Sequence, residues 1–234
     1  MVTGANGMLG TDAVERLRAD GHEVTSHTRD TLDLSDVDAV IAAARGHDVL
    51  WNCAAWTAVD DAEADEEAAL AINGVVPGIL AAAAAEAGAR LVQISTDYVF
   101  AGDATAPYDE DAPTDPRSAY GRTKEVGERA VRAGLPDAHL LVRTAWLYGA
   151  HGGCFPKTIA RLAAERGSVA VVDDQVGQPT WTRDVADLVV RLVLGGAPAG
   201  TYHATSSGQC SWFDFARAVV AAAGLDPSVV RATT

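Results

Sequence analysis

A glycine-rich turn near the start of the chain constrains the fold more than any other feature. Three glycines, Gly4, Gly7 and Gly10, stand three residues apart after a short apolar segment. A helical pattern follows from Thr11 to Ala19, and residues 22–27 have the composition of a second strand. Such a turn lets backbone N–H groups approach a pyrophosphate, which the helix N-terminus also attracts. This order of elements predicts a dinucleotide site; the alternative is a glycine-rich turn without a ligand.

The composition limits the classes of partner. The 234 residues are 48% apolar with a formal net charge of −14, which suits a globular protein and disfavours nucleic acid. No run of eighteen apolar residues predicts a membrane span, and no signal peptide is visible. Three cysteines, Cys53, Cys154 and Cys210, fit neither a disulfide framework nor metal-ligand spacing. We therefore expect a cytoplasmic protein with no membrane or metal site.

Residues at the ends of predicted strands extend the dinucleotide site. The second strand ends near Arg29, which suits a 2′-phosphate, whereas the neighbouring Asp30 suits a ribose hydroxyl. We predict NADPH as the cofactor and keep NADH as the alternative. A third strand, residues 48–53, is followed by Ala54 and Ala55, whose small side chains let a cofactor lie close to the backbone.

The chemistry is predicted to lie between residues 95 and 124. Tyr120 and Lys124 are four residues apart on a predicted helix, so they share one face. Lysine is rare here, since only two of the 18 basic residues are lysines. A phenol beside an ammonium group is a proton donor, and we expect Lys124 to lower the pKa of Tyr120. The alternative is a surface aromatic and a cation on one helix face.

A buried strand, residues 90–94, delivers a hydroxyl to the same place. Ligands of open α/β sheets bind at the carboxyl ends of strands, where Thr96 would orient a ketone that accepts a hydride from NADPH. Ser95 is the rival for that role, because neighbours on a strand point to opposite faces. Trp146, just past another strand, could stack on a sugar or base, or be a core residue.

Six motifs together resemble dTDP-4-dehydrorhamnose reductase, a family of extended short-chain reductases. The glycine turn alone already resembles the wider short-chain dehydrogenase/reductase superfamily, and the match covers nearly the whole chain. The motifs are residues 3–10, 52–60, 95–100, 120–124, 143–149 and 174–180.

The resemblance implies a reductase of the 4-keto group of a deoxysugar nucleotide, yielding dTDP-L-rhamnose for polysaccharide biosynthesis. It implies Thr96, Tyr120 and Lys124 as catalytic, and Thr96, Asp97 and Trp146 as substrate contacts. Its cofactor site would comprise Gly4, Gly7, Met8, Leu9, Gly10, Arg29, Asp33, Leu34, Ala54, Ala55, Trp56, Tyr120 and Lys124.

Two positions depart from the family pattern. Met8 stands where many members have Gln, and Trp56 where Tyr or His is common. We expect Met8 to change little, because the turn backbone binds the cofactor, and Trp56 to alter the substrate pocket. The family continues past residue 234 with a segment that helps to close the sugar-nucleotide site, and it allows a homodimer.

Two other functions remain open. The chain could reduce a related 4-keto sugar nucleotide, or act as a non-catalytic NADP-binding regulatory subunit. A 4,6-dehydratase is disfavoured, because those enzymes carry Asp-Glu after the threonine and this chain has Asp97 and Tyr98.

The alternation of strands and helices predicts an α/β fold, a Rossmann-type doubly wound parallel sheet with a smaller C-terminal substrate-binding cap. We expect the dinucleotide-binding domain to comprise residues 1–145 and about 168–195. The cap would comprise residues 146–167 and 196–234, and the last segment, residues 229–234, would form no element of its own.

Overall fold

A computed structural model describes residues 1–234. Twelve strands form, of which six build a parallel central sheet and six pair in twos. The strands are β1 (Val2–Thr3), β2 (Ser26–His27), β3 (Val49–Asn52), β4 (Arg90–Thr96), β5 (His139–Thr144), β6 (Leu147–Tyr148), β7 (Val169–Val172), β8 (Val176–Gly177), β9 (Thr180–Trp181), β10 (Gly200–His203), β11 (Cys210–Ser211) and β12 (Val230–Thr233).

The central sheet has the strand order β10-β5-β4-β3-β1-β2, and every pairing in it is parallel. The chain leaves β1 towards β2 on one side and returns to β3 on the other. A ligand crevice forms at such a switch point, outside the carboxyl ends of the strands. The glycine turn follows β1, and Ala54 follows β3, so both lie at this crevice.

Helices cover both faces of the sheet because its inner strands are apolar on both sides. Leu50, Leu91 and Leu141 face one helical layer, while Trp51 and Val92 face the other. The helices are α1 (Met8–Ala19), α2 (Val37–Ala44), α3 (Val59–Ala64), α4 (Glu66–Leu70), α5 (Val76–Ala87), α6 (Ala119–Gly134), α7 (Phe155–Arg166), α8 (Thr182–Leu194) and α9 (Trp212–Ala222). Helices α2, α5 and α6 form the first layer, and α1 and α8 the second.

A single turn of π-helix, Ala71–Val75, joins α4 to α5 into one long helical segment. Residues 66–87 are long and apolar enough to cross a membrane, with a mean hydropathy of 1.9 over the most apolar window. Half of that window is buried in the protein, and Leu80, Ala81 and Ala84 are fully buried in the core. Core helices commonly share this composition.

The cap is a small layer built on β7 and β12. These strands pair in parallel, and α7 and α9 pack on them through a separate apolar cluster that includes Ile159, Val171 and Val220. Two short pairings, β6 with β9 and β8 with β11, lie between this layer and the sheet.

The predicted fold class is confirmed, and the domain boundaries stay a prediction, although two strands pair differently from what those boundaries imply. β7 belongs to the cap, whereas β10 pairs with β5 at the edge of the central sheet. Residues 230–233, predicted to lack an element, form β12. The differences at β7, β10 and β12 share a cause, because the partner of a short strand is set by tertiary packing and not by its own sequence. The predicted strand at residues 22–27 is also shorter, since only Ser26 and His27 pair.

Candidate active site

Helix α6 and the end of β4 meet at one edge of the sheet. The Ser118 hydroxyl caps α6 by accepting a 3.1 Å hydrogen bond from the backbone N–H of Gly121. Gly121 packs so closely on the carbonyl oxygen of Tyr98 that a Cβ atom would not fit. The first turn of α6 therefore lies directly on residues 97–99, which places Tyr120 beside Thr96.

The acidic run before α6 contributes to this placement. The run comprises residues 60–67, where α3 and α4 form. Two carboxylates of the run also hold the start of α6. Glu63 accepts a 2.7 Å hydrogen bond from the N–H of Ala119, and Glu66 forms a two-point ion pair with Arg122.

Tyr120 is partly buried, and the Tyr98 ring meets it edge-on with 5.5 Å between the ring centroids. Burial raises the pKa of the Tyr120 phenol, the hydroxyl of Thr96 partly offsets this, and Asp97 adds to it. The expectation that Lys124 lowers the pKa of Tyr120 is therefore wrong. The Lys124 ammonium group binds a backbone carbonyl of β4 instead.

Lys124 is only 4% exposed, and its ammonium group donates a 2.6 Å hydrogen bond to the carbonyl oxygen of Ile94. Burial lowers the pKa of Lys124 to about 8, while the nearby Glu128 carboxylate and Cys53 act in the opposite direction. The group is therefore a buried cation close to the end of β4.

Thr96 and Ser95 occupy opposite faces of β4, as expected. The Thr96 hydroxyl donates a 3.0 Å hydrogen bond to Asp97 and accepts one from the N–H of Tyr98, on the side of Tyr120. Ser95 is 3% exposed, and its hydroxyl lies on the side of Glu128. Thr96, and not Ser95, shares the site with Tyr120. Burial also raises the pKa of the Asp97 carboxyl group.

A cavity of about 480 Å³ lies at the switch point, where the dinucleotide site was predicted. Gly4 has φ = +65°, and a Cβ there would lie 2.6 Å from the N atom of Ala54. The turn and the end of β3 are thus in direct backbone contact. Seven predicted cofactor residues line the cavity: Gly4, Gly7, Arg29, Asp33, Leu34, Ala54 and Ala55.

Other predicted cofactor residues lie outside this cavity. Leu9 is buried in the core, and Gly10 packs against the carbonyl of Gly4 with no space for a side chain. Met8 instead packs against Gly149 and Gly152, in the segment that leads from β6 to α7 of the cap. These three residues shape the turn, whereas Arg29 reaches the cavity as an exposed guanidinium without an ion-pair partner.

A second cavity, of about 440 Å³, begins at Asp97 and runs along the ends of β5 and β10. Its walls include Arg143, Thr144, His203 and the loop of residues 102–108. The loop is closed by Tyr108, whose ring stacks on Phe100 and whose hydroxyl contacts three backbone N–H groups. This cavity could hold the part of a substrate that extends beyond Thr96.

Trp146 packs against Gly177, which lines the second cavity, but Trp146 does not line the cavity itself. Its indole stacks on Trp212 with 3.6 Å between the centroids, and a Cβ on Gly177 would lie 2.5 Å from it. The residue also adopts φ = +46°, an uncommon conformation for a side chain of this size. In this structure Trp146 joins the cap to the sheet, and its predicted substrate contact stays a prediction.

Several positioning residues were missed by the sequence reasoning. Asn73, in the π-helical turn, bonds both the N–H and the carbonyl of Trp56 and also reaches Thr123. Trp56 thereby packs against the same buried alanine cluster as Tyr120, formed by Ala62, Ala69 and Ala119. In the sequence, the signal that could have identified Asn73 is an asparagine followed by a glycine within an otherwise apolar helical segment.

A ladder of buried, hydrogen-bonded polar side chains crosses the strands β1, β3 and β4. The Thr3 hydroxyl donates to Asn52, the Asn52 amide donates to Gln93, and the Gln93 amide donates to the Ile94 carbonyl that also binds Lys124. Asn52 additionally accepts from the N–H of Ala54. One row of side chains thus joins the cofactor cavity to Lys124.

One group of side chains has metal-ligand spacing. The ligand atoms of Asp12, Glu15 and His151 lie within 4.8 Å of one another. Asp12 already accepts a 2.5 Å hydrogen bond from Thr182, and Arg183 lies 3.5 Å from both carboxylates. The group therefore has a cationic partner, and the sequence prediction of no metal remains a prediction.

A parallel sheet of this order, with a glycine turn at its switch point and a Tyr-Lys helix beside a strand-end threonine, defines an extended short-chain dehydrogenase/reductase. The chain belongs to the family described as the RmlD substrate binding domain, which matches residues 1–234.

Two named relatives and one solved structure are similar over the whole chain. A dTDP-4-dehydrorhamnose reductase of Streptomyces griseus is 50% identical, with all of this chain and 79% of the relative covered. A dTDP-4-keto-6-deoxy-D-glucose reductase of Streptomyces niveus is 49% identical, with coverage of 99% and 81%. The crystal structure of the Bacillus anthracis dTDP-4-dehydrorhamnose reductase in complex with NADP is 36% identical with a TM-score of 0.95, covering 100% of this chain and 83% of that one.

Proposed function

We propose that the chain reduces the 4-keto group of dTDP-4-dehydro-6-deoxy-L-mannose to give dTDP-L-rhamnose, with NADPH as the reductant. The observation that carries this proposal is the meeting of Tyr120 with Thr96 at the end of β4. Asp97, next to Thr96, lines the second cavity, and Cys53, which lies close to Lys124, lines the cofactor cavity. The name of the Streptomyces griseus relative, which is 50% identical, supports the same reaction.

The residues at the switch point fit a dinucleotide. Gly4 and Ala54 leave backbone close to the cavity, and the N-terminus of α1 follows the turn with Gly7 as its N-cap residue. The unpaired Arg29 suits a 2′-phosphate. The amino terminus of α1 would bind the pyrophosphate, and Lys124 the ribose beside the nicotinamide. Bound NADPH supplies the hydride.

Tyr120 is the proposed proton donor. Because burial raises the pKa of its phenol, Tyr120 stays protonated at neutral pH. An alkoxide forming at the sugar is a stronger base than a phenolate, so it takes this proton as it forms. The Thr96 hydroxyl donates to the same oxygen and fixes the direction of the carbonyl. Asp97 would contact the sugar hydroxyls.

Lys124 balances the charge that the reaction leaves on the protein. Proton transfer converts the Tyr120 phenol to a phenolate, one helical turn from the Lys124 ammonium. A buried cation stabilises such an anion more than a solvated one does, because little water screens the interaction. Lys124 therefore acts on the transition state even though it does not lower the pKa of Tyr120 beforehand.

The stereochemistry of the sugar is the open choice between two related substrates. The Streptomyces niveus relative is named for 4-keto-6-deoxy-D-glucose, so that sugar is the second candidate. Trp56, which packs against the same alanine cluster as Tyr120, and Trp146, which packs against Gly177, are the aromatic residues near the sugar position. The three free cysteines suit a reducing compartment, and we place the reaction in the cytoplasm. The homodimer remains a prediction.

The test is a panel of 4-keto sugar nucleotides assayed with NADPH and with NADH. We expect the highest kcat/KM with dTDP-4-keto-6-deoxy-L-mannose and NADPH, and formation of dTDP-L-rhamnose by chromatography. Preference for the D-glucose isomer would select the second candidate. NADPH binding without turnover of any substrate would favour a non-catalytic binding subunit.

A further inference from the structure

Three successive turns of α6 reach three neighbouring strands of the central sheet. Lys124 binds the Ile94 carbonyl on β4, Glu128 binds Arg143 on β5, and Arg132 binds Thr201 on β10 with an Nη2–Oγ1 distance of 3.2 Å. Residues four apart lie along one helix face, so the face that carries Lys124 is fixed to the sheet in three places.

Glu128 is the central residue of this series. Its side chain is completely buried, and both carboxylate oxygens are bound. Arg143 donates from Nε at 2.8 Å and from Nη2 at 2.7 Å, and Arg132 donates at 2.8 Å. The two-point contact with Arg143 fixes both distance and orientation. The reaction proposed above does not use this carboxylate.

A stabilising role alone does not explain a buried ion pair. Removing two charges from water is costly, and an apolar pair of similar volume often stabilises a protein as well. The location of the pair suggests another role. Arg143 pairs in register with Ser95, next to Thr96, while Glu128 lies one helical turn beyond Lys124.

We infer that Glu128 is a positioning residue, which through Arg143 fixes α6 against the ends of β4 and β5 and supplies the negative charge that balances the buried Lys124 ammonium. This inference rests on the proposed function of Lys124 and extends it to a residue that does not touch substrate or cofactor.

The groups around Lys124 determine the sign of the expected effect. Glu128 acts on it from its own helix, Cys53 acts from the end of β3, and Arg143 acts on Glu128 from β5. Burial raises the pKa of Cys53, so the thiol is neutral at pH 7 and adds no charge there. Without Glu128, the ammonium would share its surroundings with two unbalanced arginines and would lose its proton at lower pH.

The chain allows a direct test because it has only two lysines, Lys124 and Lys157. Lysine labelled with ¹³C at Cε gives one NMR titration curve for each. Lys157 is exposed on the cap and binds the carbonyls of Ala150 and Gly152, so it is an internal reference. This readout does not depend on turnover, so it separates failure of the inference from failure of the proposed function.

In Glu128→Gln we expect the midpoint of the Lys124 NMR titration to move down by about one pH unit or more. The midpoint of the Lys157 titration should stay unchanged. The high-pH limb of kcat should move with the Lys124 midpoint, and kcat at neutral pH should fall about tenfold. The control is Glu125→Gln, which removes a carboxylate from the same helix that pairs with the exposed Arg129. It should leave both midpoints unchanged. An unchanged Lys124 midpoint in folded Glu128→Gln overturns the inference.

A double variant covers the case in which Glu128→Gln does not fold. Glu128→Met with Arg143→Met removes both buried charges together and leaves without its partner only Arg132, whose side chain is 37% exposed. If Glu128 positions Lys124, the double variant folds but keeps the lowered Lys124 midpoint. If the pair only stabilises the fold, the double variant restores the wild-type midpoint of the Lys124 NMR titration, and the inference is wrong.

Discussion

The Lys124 ammonium donates its 2.6 Å hydrogen bond to the Ile94 carbonyl and not to the Tyr120 phenol one turn earlier. The lysine is therefore held by the strand that ends in Thr96, at the end of the buried ladder of Thr3, Asn52 and Gln93. The sheet positions the cation, and the helix positions the proton donor. This separation makes the two roles testable by separate substitutions.

Lys124→Met should increase stability and decrease activity. Burial lowers the pKa of Lys124 from 10.5 to about 8, and this shift corresponds to about 3 kcal/mol lost while the group is charged. The unfolded state binds more protons between these two values, so wild-type stability rises with pH from about 8 to 10.5.

Denaturant unfolding at pH 7 should show that Lys124→Met is more stable than the wild type. Steady-state kinetics should show that its kcat falls at least about 100-fold. Lys157→Met is the control, and lower stability of Lys124→Met with retained kcat contradicts the account.

Arg29→Ala should reduce the preference for NADPH. Arg29 lines the cofactor cavity and has no carboxylate partner, so its charge is free to bind a 2′-phosphate. We expect KM for NADPH to rise about tenfold or more, with little change for NADH, because a charged hydrogen bond to phosphate contributes about 1.5–3 kcal/mol. Arg166→Ala, on the exposed end of α7, is the control. Equal effects on both cofactors would mean that Arg29 does not select between them.

Gly4→Ala should abolish cofactor binding. Both Gly4 and Gly21 have positive φ, but only Gly4 lacks space, since a Cβ would lie 2.6 Å from the Ala54 N atom. Gly21→Ala therefore isolates the backbone strain, about 1 kcal/mol, from the steric clash. Calorimetric titration with NADPH should show binding in Gly21→Ala and none in folded Gly4→Ala. Binding by both variants would place the dinucleotide elsewhere.

Thr96→Val and Ser95→Ala should differ sharply. The Thr96 hydroxyl lies on the side of Tyr120, whereas the Ser95 hydroxyl lies on the opposite side of the strand, towards Glu128. Loss of one oxyanion donor reduces kcat by about 100-fold or more, so Thr96→Val should show that loss in steady-state kinetics. Ser95→Ala should stay near wild type. The reverse result would give Ser95 the orienting role.

Patterns set by local chemistry were predictable from the sequence. The glycine turn, the Tyr-Lys spacing and the amphipathic helices α7 and α8 all depend on residues close in the chain. The direction of the Tyr120 pKa was not predictable, because it depends on burial by elements far apart in sequence. For the same reason the sequence revealed neither the Asn73 contacts with Trp56 nor the edge position of β10.

The central claim is that Tyr120 donates the proton, and Tyr120→Phe tests it most directly. This variant keeps the ring that packs against Tyr98 and removes only the hydroxyl. Tyr202→Phe is the matched control, because Tyr202 lies on the edge strand β10 and its hydroxyl donates a hydrogen bond to the Pro198 carbonyl. With dTDP-4-keto-6-deoxy-L-mannose, we expect kcat of Tyr120→Phe to fall at least about 100-fold while NADPH binding is retained. A Tyr120→Phe variant with kcat near that of wild type would contradict the account.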